Sequence, residues 1–338
     1  MIPVLLGPNQ PRQFYLGGAA IAALRDEPAL DDYRPEDWVG STTPRWGESA
    51  DGLSALPDGT RLRDAVEAAP EEWLGPAHVA AYGASTELLV KLLDAGQRLP
   101  VHVHPSRAFA LRHLGSRHGK TESWVVLATK GAAPSVYLGW RHDVPHSQLM
   151  QWHASQDTAA MLANMHELAV QPGDSVLVPA GTAHAIGEGV FSVELQEPTD
   201  FSIMIETAGF DLDPEGGELG LGKDLALSCV SEKAFSREAL DQLMVRDRAP
   251  AGSPLADLMP AAAADYFRAH LARAGAQLPA GFAVIIITKG AGQLKGQTWE
   301  LEVEKGQSLV VPYSAGPVEV TGDLEAIWCR PPTTAPTI

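Results

Sequence analysis

The chain has 338 residues, 45% of them hydrophobic and 20% charged, with a formal net charge of −17. That length exceeds what one compact core needs, so two units are expected, and the composition is that of a folded protein rather than a disordered one. The acid excess excludes long-range attraction to nucleic acid or to an anionic membrane surface, so an anionic small molecule would have to be held by a local cluster of cations.

No apolar run comes near the roughly 20 residues of a membrane-crossing helix, the stretch 282–287 being among the longest. The first residues show neither a basic leader nor a small-residue cleavage site, so a soluble, cytoplasmic protein is expected. Cys229 and Cys329 lack C-x-x-C spacing and read as buried free thiols, not as a disulfide or a structural zinc site.

In chain order, a helix is predicted over 62–69. Short apolar runs bounded by Gly, Pro and Asp then predict strands over 88–93, into 101–104 after a turn at 94–96, and over 123–127 and 135–138. Leu149, Met150, Trp152, Ala159, Met161, Leu162 and Met165 recur at a helical period and predict a helix over 147–167. Strands follow over 175–178 and 190–195, flanked by the turn signals Pro172-Gly173-Asp174 and Pro179-Ala180-Gly181. Helices are predicted over 237–244 and 261–273, and a second β-rich stretch over 281–328. The pattern is mainly β: a barrel unit over 1–206 with a helical insertion at about 145–167, a helical connection over 207–275, and a second, smaller barrel over 276–338.

The first unit holds the candidate ligands. In a strand, residues two apart point the same way, so His102 and His104 of the H-V-H run can face one interior, joined by Glu122 from the next strand and by His184 after the turn 179–183. Imidazoles with one carboxylate suit zinc, iron or manganese. The combination H-V-H-P, G-K-T-E and P-G-D-S-V-L-V-P-A-G-T-A-H is far more specific than any lone histidine. His118, His146 and His153 lack such a context and read as surface or capping residues, with His113 and His118 as outside candidates near the site. Lys120, two before Glu122, should share its face and bring a cation to the metal. Glu194 and Gln196 alternate inward if Leu195 faces out. In the second β-rich stretch, Gly306 to Pro312 repeats the design of Gly173 to Pro179, but Pro317 falls where His184 would be, so this copy should bind no metal.

These residues resemble the class I (type I) mannose-6-phosphate isomerases of the cupin superfamily. The family's Q-V-H-P, K-x-E and P-x-G-x-x-H-A-I-G segments are similar to His102-Val103-His104-Pro105, Lys120-Thr121-Glu122 and Pro179 to Gly187, and its E-x-Q-x-x-S-D to Glu194 through Asp200. Leu16-Gly17-Gly18, Glu36-Asp37-Trp38 and Leu89 to Asp94 match further segments in order. The likeness runs over about residues 1–210, and beyond that by architecture. It implies two cupin (jelly-roll) barrels and one divalent metal, zinc first, with iron, manganese, nickel or cobalt as alternatives, on His102, His104, Glu122 and His184.

The resemblance further implies an aldose–ketose isomerase acting on mannose 6-phosphate or the free hexose, with Lys120 and Asp200 as catalytic groups and Lys120, Glu194 and Gln196 toward the sugar. A sugar or sugar phosphate is the expected partner, without nucleic acid or membrane, and a homodimer is left open. Two positions depart from the family: His102 replaces an amide ligand, and Met204 stands where the family has an arginine four residues beyond the aspartate. Methionine cannot neutralise an oxyanion, which leaves two other readings open, a cupin metallo-oxygenase and a sugar-binding cupin without turnover.

Overall fold

The run Val190–Gln196 is buried along its whole length, and a strand covered on both faces belongs at the centre of a layered sheet. A computed structural model of the chain, which describes residues 1–212, 216–246 and 252–333, places it there. The six-stranded antiparallel sheet around it runs Met244–Val245, Ser175–Val178, Glu122–Thr129, Val190–Gln196, Leu89–Asp94, Glu36–Val39. A five-stranded sheet runs Ile203–Met204, His102–Val103, His184–Ile186, Ser135–Trp140, Met165–Ala169. The two sheets meet where His104 and His184 approach Glu122.

The remaining sheet has eight strands. Val4–Leu6, Ser308–Val311, Ala283–Lys295, Val318–Arg330, Arg268–Arg273 and Leu255–Asp257 lie in that order, with Gln277–Leu278 and Glu300–Glu304 on side branches. Period-two alternation decides what each face does. On the strands of the six-stranded sheet, Val90, Leu92, Val125, Val193 and Leu195 join one apolar cluster with Val284, Ile286 and Ile327 of the eight-stranded sheet. The residues between them, Lys91, Glu122 and Glu194, project from the other face.

Helix Ala19–Arg25 ties the layers together. Its start is fixed by Asp94, which accepts from the amides of Gly18 and Ala20 at 2.9 and 2.8 Å. Gly18 has a φ of 108°, and a Cβ there would lie 2.5 Å from the Arg34 carbonyl oxygen, so only glycine fits. At the other end, buried Arg25 meets Asp37 at 2.6 Å and reaches the Gly306 carbonyl and the Ser308 hydroxyl.

The strands expected at 88–93, 123–127, 135–138, 175–178 and 190–195 are present to within two residues. Two helices are not as expected. The helix predicted over 147–167 is His146–Ser155 followed by Thr158–Ala163, and Met165–Ala169 is a strand. Gln156 breaks it in a left-handed conformation, its amide oxygen accepting from Thr207 and Ala208, and Asp157 caps the second helix through Ala160 N.

The helix predicted over 261–273 is a single-turn 3-10 segment, Ala261–Asp265, and then the strand Arg268–Arg273. The four alanines favour helix locally, but Arg268–Arg273 alternates in burial and pairs along its whole length with Val318–Arg330. The expected connection over 207–275 therefore carries strands Met244–Val245, Leu255–Asp257 and Arg268–Arg273 beside its helices Lys223–Leu227 and Arg237–Gln242. Residues 213–215, 247–251 and 334–338 of the expected connection and second barrel lie outside the described residues.

Candidate metal centre

The strand His102–Val103 pairs with both His184–Ile186 and Ile203–Met204, and the register sets His102 opposite His184 and Met204. One donor atom each from His102, His104 and His184 lies within 4.8 Å of the others. Among the described residues no second such group of His, Cys, Asp or Glu occurs. Glu122, at the head of the facing strand, brings Oε2 to 2.9 Å from His104 Nε2 and Oε1 to 3.4 Å from His184 Nε2. The four residues are at most 7% exposed.

The tautomers can be worked out from the backbone. His102 Nδ1 lies 2.8 Å from the Pro100 carbonyl, His104 Nδ1 2.8 Å from that of Phe201, and His184 Nδ1 2.8 Å from that of Thr182. A carbonyl only accepts, so each Nδ1 carries the proton and each Nε2 is left as a lone pair. Burial, and then the neighbouring histidines, pushes His102 well below the usual imidazole range, and burial with the Lys120 charge pushes His104 down to about 3. These two rings are therefore neutral donors at physiological pH.

With His104 neutral, its Nε2 and Glu122 Oε2 are two acceptors 2.9 Å apart. Lys120 Nζ lies against both of these atoms, whereas His184 Nε2 is buried without a hydrogen-bond partner. A lone pair left idle in a dry site marks a place for a cation, and backbone carbonyls that fix Nδ1–H are the usual outer support of metal-bound histidines. Three imidazoles and one carboxylate fit one divalent metal ion, in the set that suits zinc and the neighbouring transition ions.

Lys120 is also delivered to this point. Its Nζ lies 3.1 Å from His104 Nε2 and 3.2 Å from Glu122 Oε2. Burial opposes ionisation of Glu122, but the Lys120 charge beside it holds its carboxyl well below the usual range.

Beyond the ligands opens a cavity of about 190 Å³ whose wall includes His102, Lys120, Glu194, Asp200, Ser202 and Met204. Lys91, 2% exposed, also lines it, 3.2 Å from Glu36, 3.6 Å from Glu194 and 4.0 Å from Asp200, with the Trp38 ring centroid 4.4 Å from its Nζ. Burial works against the Lys91 charge, but these carboxylates outweigh it and raise its pKa. Glu36 is in turn held by Tyr15 Oη at 2.5 Å and Trp38 Nε1 at 2.7 Å. Burial, reinforced by the charge of Glu122, raises Glu194 to about 7. Burial also raises Asp200, whose Oδ2 accepts from the amide of Trp46.

The residues anticipated from sequence are mostly here. Lys120, Glu194 and Asp200 all border the cavity. Gln196 does not: its amide donates to the Glu197 and Thr199 carbonyls and braces that turn. His118 is drawn away to Glu87. His153, read as a surface or capping residue, is buried with its Nδ1 at the Ile205 carbonyl. Of the two cysteines Cys329 is buried, whereas Cys229 is partly exposed.

Lys91, Glu36 and Tyr15 were given no role from sequence, and neither was Arg45, the one guanidinium among the residues lining the cavity. Arg45 pairs with Asp51 at 2.9 Å and is about one-third exposed. Met204, 6% exposed, lies on the same wall.

Fold and site together give a mainly-β protein in which three histidines and one glutamate, a set that fits one divalent metal ion, are buried together under a charged cavity. The chain is 28% identical over 291 residues to a mannose-6-phosphate isomerase of Streptococcus mutans, covering 81% of this chain and 85% of that one. It is 26% identical over 249 residues to a mannose-6-phosphate isomerase of Bacillus subtilis, covering 71% and 73%.

Among solved structures, a mannose 6-phosphate isomerase from Bacillus subtilis superposes with a TM-score of 0.78 at 21% identity, over 98% of this chain and 100% of that one. A mannose 6-phosphate isomerase bound with zinc and yttrium superposes with a TM-score of 0.72 at 16% identity, over 98% and 100%. At these identities the superpositions show a shared fold. No family model matches the chain.

Proposed function

We propose that the chain is a metal-dependent aldose–ketose isomerase that interconverts mannose 6-phosphate and fructose 6-phosphate. The observation that carries this reading is the joining, in one cavity, of three Nδ1-anchored histidines and Glu122 with a lysine and a near-neutral carboxyl, Lys120 and Glu194. The two curated relatives carry the same activity in their names.

Isomerisation moves the C2 proton of the aldose to C1, and the O2 hydroxyl proton to O1, so that C2–O2 becomes the carbonyl. His102, His104, Glu122 and His184 hold the divalent ion, zinc first, which supplies Lewis-acid polarisation of a sugar oxygen. The chain's own groups do the rest. Lys120 Nζ, fixed against Glu122, donates to the oxygens as negative charge builds on them. Glu194, raised to about 7, carries the proton between C2 and C1, since a base works best near the ambient pH. Lys91 orients Glu194 and Asp200, and Asp200 accepts from a sugar hydroxyl. Gln196 acts at one remove by holding the 197–199 turn.

Met204 offers no charge, so in this reading Arg45 at the cavity wall takes the phosphate, exchanging Asp51 for it. The same reading assigns two cupin-like barrels. The first is built around the six- and five-stranded sheets and the second around the eight-stranded sheet, with Val4–Leu6, Leu255–Asp257 and Arg268–Arg273 added to the unit over 276–338.

The test is to incubate metal-loaded protein with mannose 6-phosphate and with free mannose and to follow ketose formation. Turnover of the phosphorylated sugar is expected. Turnover of free mannose alone would remove Arg45 from its role, and turnover of neither would sink the isomerase reading.

A further inference from the structure

A second cationic cavity lies far along the chain from the metal centre. The register of strands Arg268–Arg273 and Val318–Arg330 sets Arg268 directly opposite Arg330. Like charges placed opposite each other in a sheet repel, and such pairs are normally separated or balanced. Here neither guanidinium has a carboxylate within 4.0 Å among the described residues, although the chain carries 42 acidic residues against 25 basic ones. Both are only partly exposed, and Arg330 Nε is buried without a partner.

The surroundings make a built concavity. Arg330 is stacked over the Trp328 ring at 3.6 Å, and Arg268 is anchored through Nε to the Pro331 carbonyl at 3.0 Å. Both residues line a cavity of about 250 Å³ together with Phe282, Tyr313, Tyr82 and His78. Burial, and then the charge of Arg268, pushes Arg330 down to about 10. Two neighbouring guanidinium groups, one stacked on an indole and neither in an ion pair with a carboxylate within 4.0 Å among the described residues, form an arrangement that recognises an oxyanion.

We propose that this cavity, formed between the segment 74–82 and the eight-stranded sheet, is a binding site for a small phosphate-bearing molecule, held by Arg268 and Arg330. It is separate from the metal cavity, with which it shares no lining residue.

The test is calorimetric titration of metal-loaded full-length protein with inorganic phosphate, using R45Q as background so that the metal cavity lacks its guanidinium. One saturable event is expected in R45Q, weakened tenfold or more in R45Q/R330Q and in R45Q/R268Q, with metal content unchanged as the check on folding. R45Q/R268K keeps the charge but not the fork, and should fall between them. Glycerol 3-phosphate binding more tightly than phosphate would mark an ester as the occupant, and weaker binding would mark the free anion. No saturation in R45Q, or equal isotherms with and without Arg268 and Arg330, would overturn the proposal.

Discussion

Replacing Glu122 by Gln changes one oxygen to an amide with almost no change in volume, so its effects report charge. Glu122 Oε2 lies 3.2 Å from Lys120 Nζ, and at an effective dielectric near 20 two unit charges at that separation attract by about 5 kcal/mol. Part of that gain offsets desolvation of both groups. Stranding one partner of a buried pair costs roughly 3–5 kcal/mol, and here Lys120, 4% exposed, loses the one carboxylate within 4.0 Å of it among the described residues. Metal-free E122Q should therefore unfold at a clearly lower denaturant concentration than metal-free wild type.

The same change removes the one anionic ligand. An outer-shell loss already costs about 10–100-fold in metal affinity, so loss of the ligand itself should exceed that. Metal content after dialysis against a graded chelator series is the assay. If E122Q retains one equivalent of zinc as tightly as wild type and unfolds at the same denaturant concentration, the tautomer argument and the four-residue centre are both wrong.

Other consequences can be checked directly. R45Q should raise KM for mannose 6-phosphate by tenfold or more with a smaller effect on kcat, and steady-state kinetics decides it. Since Glu194 must be ionised to accept a proton, kcat/KM should rise with pH as this carboxyl, raised by burial, ionises, and E194Q should lose both the activity and the limb. For stability the sign is opposite: between its ordinary value and about 7, folded Glu194 keeps a proton that the unfolded chain has released, so this group's contribution falls as pH rises through that window. Arg25→Met strands fully buried Asp37 and should cost roughly 3–5 kcal/mol in denaturant unfolding, with metal content unchanged once the protein is folded.

The candidate ligands were brought together as strand alternation, a local rule, leads one to expect: His102 and His104 share a face whatever the rest of the chain does, and the flanking turns at 172–174 and 179–181 mark the strands. Lys91 was not legible, since within an apolar run it reads as an interruption. Only the pairing of Glu36–Val39 with Leu89–Asp94 and of the latter with Val190–Gln196 surrounds it with Glu36 and Glu194. Arg45 lies in a segment without regular structure, where no periodicity gives direction. The segment 261–273 was misread because its alanines satisfy the helical rule, while the partner that makes a strand of 268–273 is the distant run Val318–Arg330. Local composition carries no information about that pairing.

Val4–Leu6, among the first residues of the chain, hydrogen-bonds only to Ser308–Val311, some three hundred positions later, at the margin of a sheet built otherwise from residues 255–330. During synthesis this segment therefore waits, with its ladder groups unmatched, until residues 308–311 have emerged. Loop-closure entropy grows slowly with length but search time does not. Seating of this strand should accordingly be among the slowest events in maturation, and it ties two segments some three hundred residues apart into one sheet.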